Sequence, residues 1–254
     1  GAGRMKGRER LLSILSPLVL LAAWELSVRA GLVDRRFIAA PSIILIALWD
    51  MLASGELARH VGASLWRIVA GFTIGVVPAV LLGLWMGLSR PVRAVVDPLI
   101  AAVYPIPKIA ILPLLMVFFG IGEASKIAVV AISAFFPILI NTYTGVATVD
   151  RIYLDVAQSF GASRALVFRR VVFPGALPVI FAGIRLALGV CLIVIVSAEF
   201  VAARSGIGFL IWSSWEILLI DKMFVGLLVI AAIGTLMNIL LKEIQRRAIP
   251  WQPE

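Results

Sequence analysis

The fold of this chain is constrained above all by the gathering of its apolar residues into runs of about 20 or more, the length a helix needs to cross a hydrocarbon core of about 30 Å. Six such runs are legible, at 11–30, 65–88, 98–119, 127–149, 177–201 and 223–241. Backbone polar groups have no water partners in lipid, so runs of this length must be helices. With 62% hydrophobic and 15% charged residues and a mean hydropathy of +1.08, a water-soluble globule is excluded, since ordinary soluble chains carry about 25% charge. The expectation is a single all-α polytopic membrane domain over residues 1–254, with about six transmembrane helices.

The formal net charge of +9 could draw a nucleic acid, but in a membrane protein basic residues sit in loops and set orientation. Arg4, Lys6, Arg8 and Arg10 precede the first run, and Arg90 and Arg93 follow the second. Arg151, Arg164, Arg169 and Arg170 follow the fourth, and Lys242, Arg246 and Arg247 follow the sixth. These are 13 of the 23 lysines and arginines. Both termini, 1–10 and 242–254, are therefore assigned to the cytoplasm, together with the loop 150–175. Arg29, Arg35, Arg36 and Arg59 fall on the outer side, so the bias is incomplete. The first apolar run is too long for a signal peptide and lacks a small-residue cleavage site, and it is read as a retained helix.

Two shorter segments complete the layout. From Pro41, residues Ile43, Ile44, Ala47, Leu48, Met51 and Leu52 recur at helical spacing opposite Ser42, Asp50, Ser54 and Glu56, which predicts a helix lying along the outer interface. The stretch from Gly206 to Trp212, followed by Trp215, is short and apolar and is read as re-entrant or interfacial, with its tryptophans at headgroup depth.

Catalytic groups are scarce. His60 is the only histidine and is expected to be an exposed bystander in the outer loop region. Cys191 is the only cysteine and reads as a small core residue, so neither a disulfide nor a metal cluster is in prospect. The stretch Gly120-Ile121-Gly122-Glu123-Ala124-Ser125-Lys126 lacks the spacing and the preceding strand of a phosphate loop.

Within the spans, Gly71, Gly75, Gly83 and Gly87 form small-xxx-small pairs around Pro78 and predict a close helix-packing seam. The third run contains Tyr104-Pro105-Ile106-Pro107-Lys108, with Pro113 beyond. Each proline removes a donor and frees a carbonyl, which is tolerated at membrane depth beside protein or a wet cavity. Lys108 and Arg185 mark a translocation path with Tyr104, Pro105 and Pro107, or else snorkel to the cytoplasmic interface. Asp97 and Glu199 are read as interfacial or paired carboxylates.

The loop 150–175 is structured. Residues 152–160 read as a short helix, Gly161 interrupts it, and 162–173 read as a second helix that stops before Pro174-Gly175. Here the sequence resembles the permease subunit of bacterial ATP-binding-cassette importers, whose loop signature runs Glu-Ala-Ala, three residues, Gly, nine residues, Ile-x-Leu-Pro. This chain has Asp155-Val156-Ala157, then Gly161, then Val171-Val172-Phe173-Pro174 in the same register, with conservative replacements. Further segments, Leu112-Pro113-Leu114, Phe119-Gly120-Ile121-Gly122-Glu123, Ser125-Lys126-Ile127, Pro174-Gly175-Ala176-Leu177-Pro178 and Gly206-Ile207-Gly208, look like the subfamily that imports taurine, alkanesulfonates, nitrate and similar solutes.

The resemblance implies a subunit of the bacterial inner membrane that is not itself an enzyme and holds no cofactor. ATP and magnesium would be bound by two separate ATPase subunits. Two permease chains, expected to be a homodimer, would pair, and an extracytoplasmic solute-binding protein would deliver the solute; no nucleic acid is implied. Each loop would seat in an ATPase cleft through Asp155, Val156, Ala157, Gln158, Gly161, Arg164 and Pro174, with Asp155, Gln158 and Arg164 facing the ATPase. ATP-driven closure would then swing the spans between inward-open and outward-open states. The rivals are a secondary transporter or channel using Lys108, Arg185 and Glu199, which leaves the structured loop unexplained, and an intramembrane enzyme, for which no converging residue set is present.

Overall fold

The computed structural model describes residues 7–34 and 36–251. Arg4, Lys6 and Arg35, part of the charge argument, and residues 252–254 lie outside the described residues. Among the described residues the chain is helical and contains no strand. In order these are α1 (Gly7–Arg29), α2 (Pro41–Ala53), α3 (Glu56–Leu88), α4 (Arg90–Val103), a 3-10 turn (Lys108–Ile111), α5 (Leu112–Phe119) and α6 (Glu123–Ala147). After α6 come α7 (Arg151–Ser159), α8 (Arg164–Val167), a π turn (Phe168–Val172), α9 (Phe173–Ala202), α10 (Ile207–Glu216) and α11 (Ile220–Ala248).

Among the described residues, four unbroken helical stretches are long and apolar enough to span: α3, α6, the stretch through α8 and α9, and α11. α4 and the segment through α5 form a fifth candidate, bent by 87° at the break between them. This corrects the expectation of one run over 98–119. The helix begins earlier, at Arg90, and loses its ladder where Pro105 and Pro107, on either side of Ile106, have no amide to donate.

The core is organised on α3, α6 and α9. Lipid supplies no hydrophobic gradient between helices, so association here depends on close backbone approach. The glycine row of α3 provides it. A Cβ at Gly71 would fall 2.7 Å from the Ile127 carbonyl, and one at Gly83 would fall 2.7 Å from Thr142 Cβ. One at Gly87 would fall 2.5 Å from Val146 Cβ, and one at Gly75 would collide with the Ala131 carbonyl. All of these neighbours lie on α6, so the predicted seam is the α3–α6 contact. On its other side α6 meets α9, where Gly145 faces the Ala176 carbonyl and Gly183 faces Asn141. Ile68, Ala79, Val130, Ala134, Ile138, Ala187, Cys191 and Ile195 fill the space between the three helices.

The peripheral elements depart from expectation in detail. α2 buries Ile44, Ala47 and Met51 and half-buries Leu48, but Ile43 and Leu52 of the expected apolar stripe are exposed, as are Leu45, Ile46 and Trp49. The buried face is thus narrower than the apolar stripe, and apolar side chains also lie outside it. α10 is short, as expected, and buries Ile207, Gly208, Leu210, Ile211 and Ser214 against its neighbours.

Candidate functional site

Three constructions stand out, each built by different local chemistry.

The first is the loop between α6 and α9. Asp150 caps α7 by accepting from the Ile152 amide at 3.0 Å, and Ser163 caps α8 by accepting from the Leu166 amide at 3.3 Å. α7 ends in a Schellman motif: the Gly161 amide donates to the Gln158 carbonyl at 2.8 Å and the Ala162 amide to the Ala157 carbonyl at 3.0 Å. This closure needs a left-handed residue, and Gly161 supplies it at φ 71°. The underside of the loop is seated: Leu154, Val167 and Phe168 pack against Val146, Val172, Ala176 and Ile180 at the ends of α6 and α9. Its outer surface carries Asp155, Gln158 and Arg164, all exposed, and also exposed Ile152, Tyr153, Val156 and Phe160, the last at 87%. Of this exposed apolar surface the sequence pattern points to Val156 alone; Ile152, Tyr153 and Phe160 are added by the structure.

The expected stop before Pro174 does not occur. The helix runs from Arg164 to Val201 through the proline. In the π turn the Phe173 amide donates to the Phe168 carbonyl, five residues back, and the register slips just where Pro174 has no donor to offer. The second half of the loop is thus helically continuous with the span.

The second construction is the break after α4. Lys108 Nζ donates to the carbonyls of Val103, Tyr104 and Ile106 at 3.1, 2.9 and 2.8 Å, and it lies 4.6 Å from the centre of the Phe136 ring. An ammonium has three donors, so the break consumes them all. Tyr104, Pro105, Pro107 and Lys108 are therefore brought together as a self-clamped bend. Arg185 belongs elsewhere: it is exposed on α9 and donates to Gln245 of α11 at 2.6 Å. Replacing Lys108 with Gln should loosen the bend at a cost of about 1–3 kcal/mol in lost charge-assisted bonds. Spin labels on α4 and α5 would then report a broadened distance distribution. An unchanged distribution would show that the ammonium does not hold the bend.

The third construction was not anticipated. Arg67, 1% exposed, donates through Nη1 to Glu199 at 2.6 Å and to the Ser205 carbonyl at 2.7 Å, and through Nε and Nη2 to Glu123 at 2.6 Å. Glu199 is fully buried and also accepts from Ser64 at 2.8 Å and from the Gly208 amide at 2.8 Å, while Ser64 accepts from the Ile207 amide at 2.8 Å. Glu199 and Ser64 thereby satisfy the first amides of α10, whose N-cap, Gly206, has no side chain to do so. A side chain at Gly206, where φ is 123°, would run into the Glu199 carboxylate.

His60 is 3% exposed, which corrects the bystander reading. Its Nδ1 lies 3.1 Å from the Gly206 carbonyl and 3.2 Å from the Gly206 amide, so either tautomer finds a partner. Lys126, 2% exposed, donates to the Gly122 carbonyl at 2.9 Å. The cluster ties α3, α6, α9 and α10 together at the end of α6 remote from the loop, roughly 36 Å away along the helix axis. Of the two expectations for Glu199, interfacial or paired, the structure shows it paired and fully buried. The partner could have been sought as an arginine inside an apolar helix, which by default requires a counter-charge.

Comparison with known proteins gives the family of this helical chain. Residues 79–250 match the model of the binding-protein-dependent transport system inner membrane component, and the chain belongs to this family. It is 38% identical to the Escherichia coli taurine transport system permease protein TauC, over 97% of this chain and 92% of that protein. It is 37% identical to the putative aliphatic sulfonates transport permease protein SsuC of the same organism, over 93% and 90% of the two chains. The nitrate import permease protein NrtB of Synechocystis is 29% identical over 87% and 97%.

Among solved structures, an amino acid ATP-binding-cassette transporter superposes with a TM-score of 0.57 at 19% identity, covering 81% of this chain and 98% of that one. An inward-facing form of the methionine transporter MetNI gives 0.54 at 20% identity over 81% and 96%. These share the fold. The chain is thus a permease subunit of an ATP-binding-cassette importer and an inner-membrane component.

Proposed function

We propose that this chain forms the translocation path of an importer for a small anion of the sulfonate, taurine or nitrate kind, by alternating access. The chemical class rests on the names of its relatives. Six spans, with α1 as the first, leave both termini and the 150–175 loop in the cytoplasm. Two copies pair, and an extracytoplasmic binding protein delivers the solute to the outer mouth. The chain carries no cofactor and no catalytic group; ATP and magnesium belong to two separate ATPase subunits.

The observation that carries this reading is the loop itself. Its exposed surface is available to a partner, while its underside is continuous with α6 and α9. An ATPase cleft gripping Asp155, Val156, Ala157, Gln158 and Arg164 around Gly161 would move the two spans as levers, with Pro174 inside the shaft. A secondary transporter using Lys108, Arg185 and Glu199 is disfavoured by the family and by their occupation: each already has a protein partner.

The test is reconstitution in liposomes. Together with its ATPase and binding protein, the chain should accumulate taurine, an alkanesulfonate or nitrate only when ATP is supplied. Accumulation by the chain alone would overturn the reading.

A further inference from the structure

A second feature lies on the second half of the 150–175 loop, beyond Asp155, Val156, Ala157 and Gln158. Beyond α11 the chain folds back on itself: Ile249, 2% exposed, is seated against Phe181 and Leu241, residues of α9 and α11. This return brings Trp251 to the side of α8 and the π turn. Between them lies an open cavity of about 730 Å³ whose lining includes Ser163, Leu166, Arg169, Arg170, Pro174 and Trp251.

Its chemistry is one-sided. Arg169 and Arg170 are both exposed, and among the described residues neither guanidinium is in an ion pair. Ser163 uses its oxygen to accept from the Leu166 amide, which leaves its hydroxyl proton free to donate. The indole N–H of Trp251 adds a further donor, and indoles favour the boundary between hydrocarbon and water. Guanidiniums offer paired donors that match phosphate oxygens, and basic pockets at the ends of transmembrane helices select anionic headgroups. The apolar wall, Leu166 and Pro174, leads to the span, where an acyl chain would lie. The π turn sets two successive arginines on the same cavity, a local irregularity of the kind found at functional positions.

We infer that this cavity binds the phosphate of an anionic phospholipid headgroup between Arg169, Arg170, Ser163 and Trp251, where the second half of the 150–175 loop joins α9. The inference rests on the position of these residues at one end of the bundle and not on the transported solute.

The test uses the purified chain in neutral detergent, exposed to vesicles of phosphatidylglycerol or of phosphatidylcholine and then analysed by native mass spectrometry. Wild type should retain phosphatidylglycerol over phosphatidylcholine. The Arg169→Gln/Arg170→Gln variant should retain at least about tenfold less, corresponding to one tenfold step in binding constant. An Arg169→Lys/Arg170→Lys variant, which keeps the charge but not the paired donors, should fall between them.

Inorganic phosphate at millimolar concentration should not displace the lipid; displacement would assign the cavity to a free anion and overturn the lipid source. Equal lipid retention by wild type and the glutamine variant would overturn the site. Loss of ATPase-subunit association in that variant with lipid retention unchanged would assign the arginines to the ATPase and overturn it too.

Discussion

Replacing Arg67 with Met should cost about 3–5 kcal/mol, because it strands the Glu199 carboxylate, fully buried, with only neutral donors around it. For a domain of this size that is a fall in Tm of roughly 6–20 °C, measurable by a thermal shift in detergent. Glu123 is partly exposed and recovers solvation when Arg67 is lost, so Glu199 carries most of the penalty. The double variant Arg67→Met/Glu199→Gln should therefore be more stable than Arg67→Met alone. Gln retains the contacts to Ser64 and the Gly208 amide without a charge to bury. With the Glu199→Gln single variant to complete the cycle, the coupling of the pair is expected at about 1–3 kcal/mol. If Arg67→Met melts where wild type does, the pair is hydrated and the cluster does not tie the four elements.

The cluster shows where a sequence stops being legible. Arg67 and its partners Glu123, Glu199 and Ser205 come from three separate stretches of chain, 56, 132 and 138 residues away. No local spacing announces such a meeting. The glycine seam is the opposite case: Gly71, Gly75, Gly83 and Gly87 recur at the helical period, and periodicity alone puts them on one face. Gly161 was likewise legible, because a glycine between two short helical patterns asks for a left-handed turn.

Proline signals a missing donor, and the consequence depends on what surrounds it. At Pro105 and Pro107 the freed carbonyls are gathered by Lys108 and the chain turns by 87°. At Pro174 a five-residue turn absorbs the defect and the helix continues. The burial of His60 is not legible in the sequence because it depends on the start of α10 folding over it, a contact 146 residues away.

The second large effect lies at the other end of the molecule. Gly161→Pro should abolish solute-stimulated ATP hydrolysis in the reconstituted complex while leaving the membrane helices intact. Proline fixes φ near −65°, whereas the position requires φ 71°, and it removes the amide that donates to Gln158. Both anchors of the Schellman closure are disturbed, so α7 loses its fixed angle to α8. Nothing lies within 4 Å of a Cβ at Gly161, so the defect is conformational and confined to the loop. The thermal transition of the spans should accordingly stay at the wild-type value. Gly161→Ala keeps the amide and pays only the left-handed penalty of about 1–2 kcal/mol, so it should retain part of the stimulation.

The ordering wild type, alanine, proline follows from treating the loop as a rigid part: force from an ATPase reaches α9 without loss only while the angle at Gly161 is held. Wild-type stimulation in the proline variant, with ATPase still bound, would show that the α7–α8 angle transmits nothing, and the push would then have to enter the spans through the apolar surface of Ile152, Tyr153 and Val156 alone.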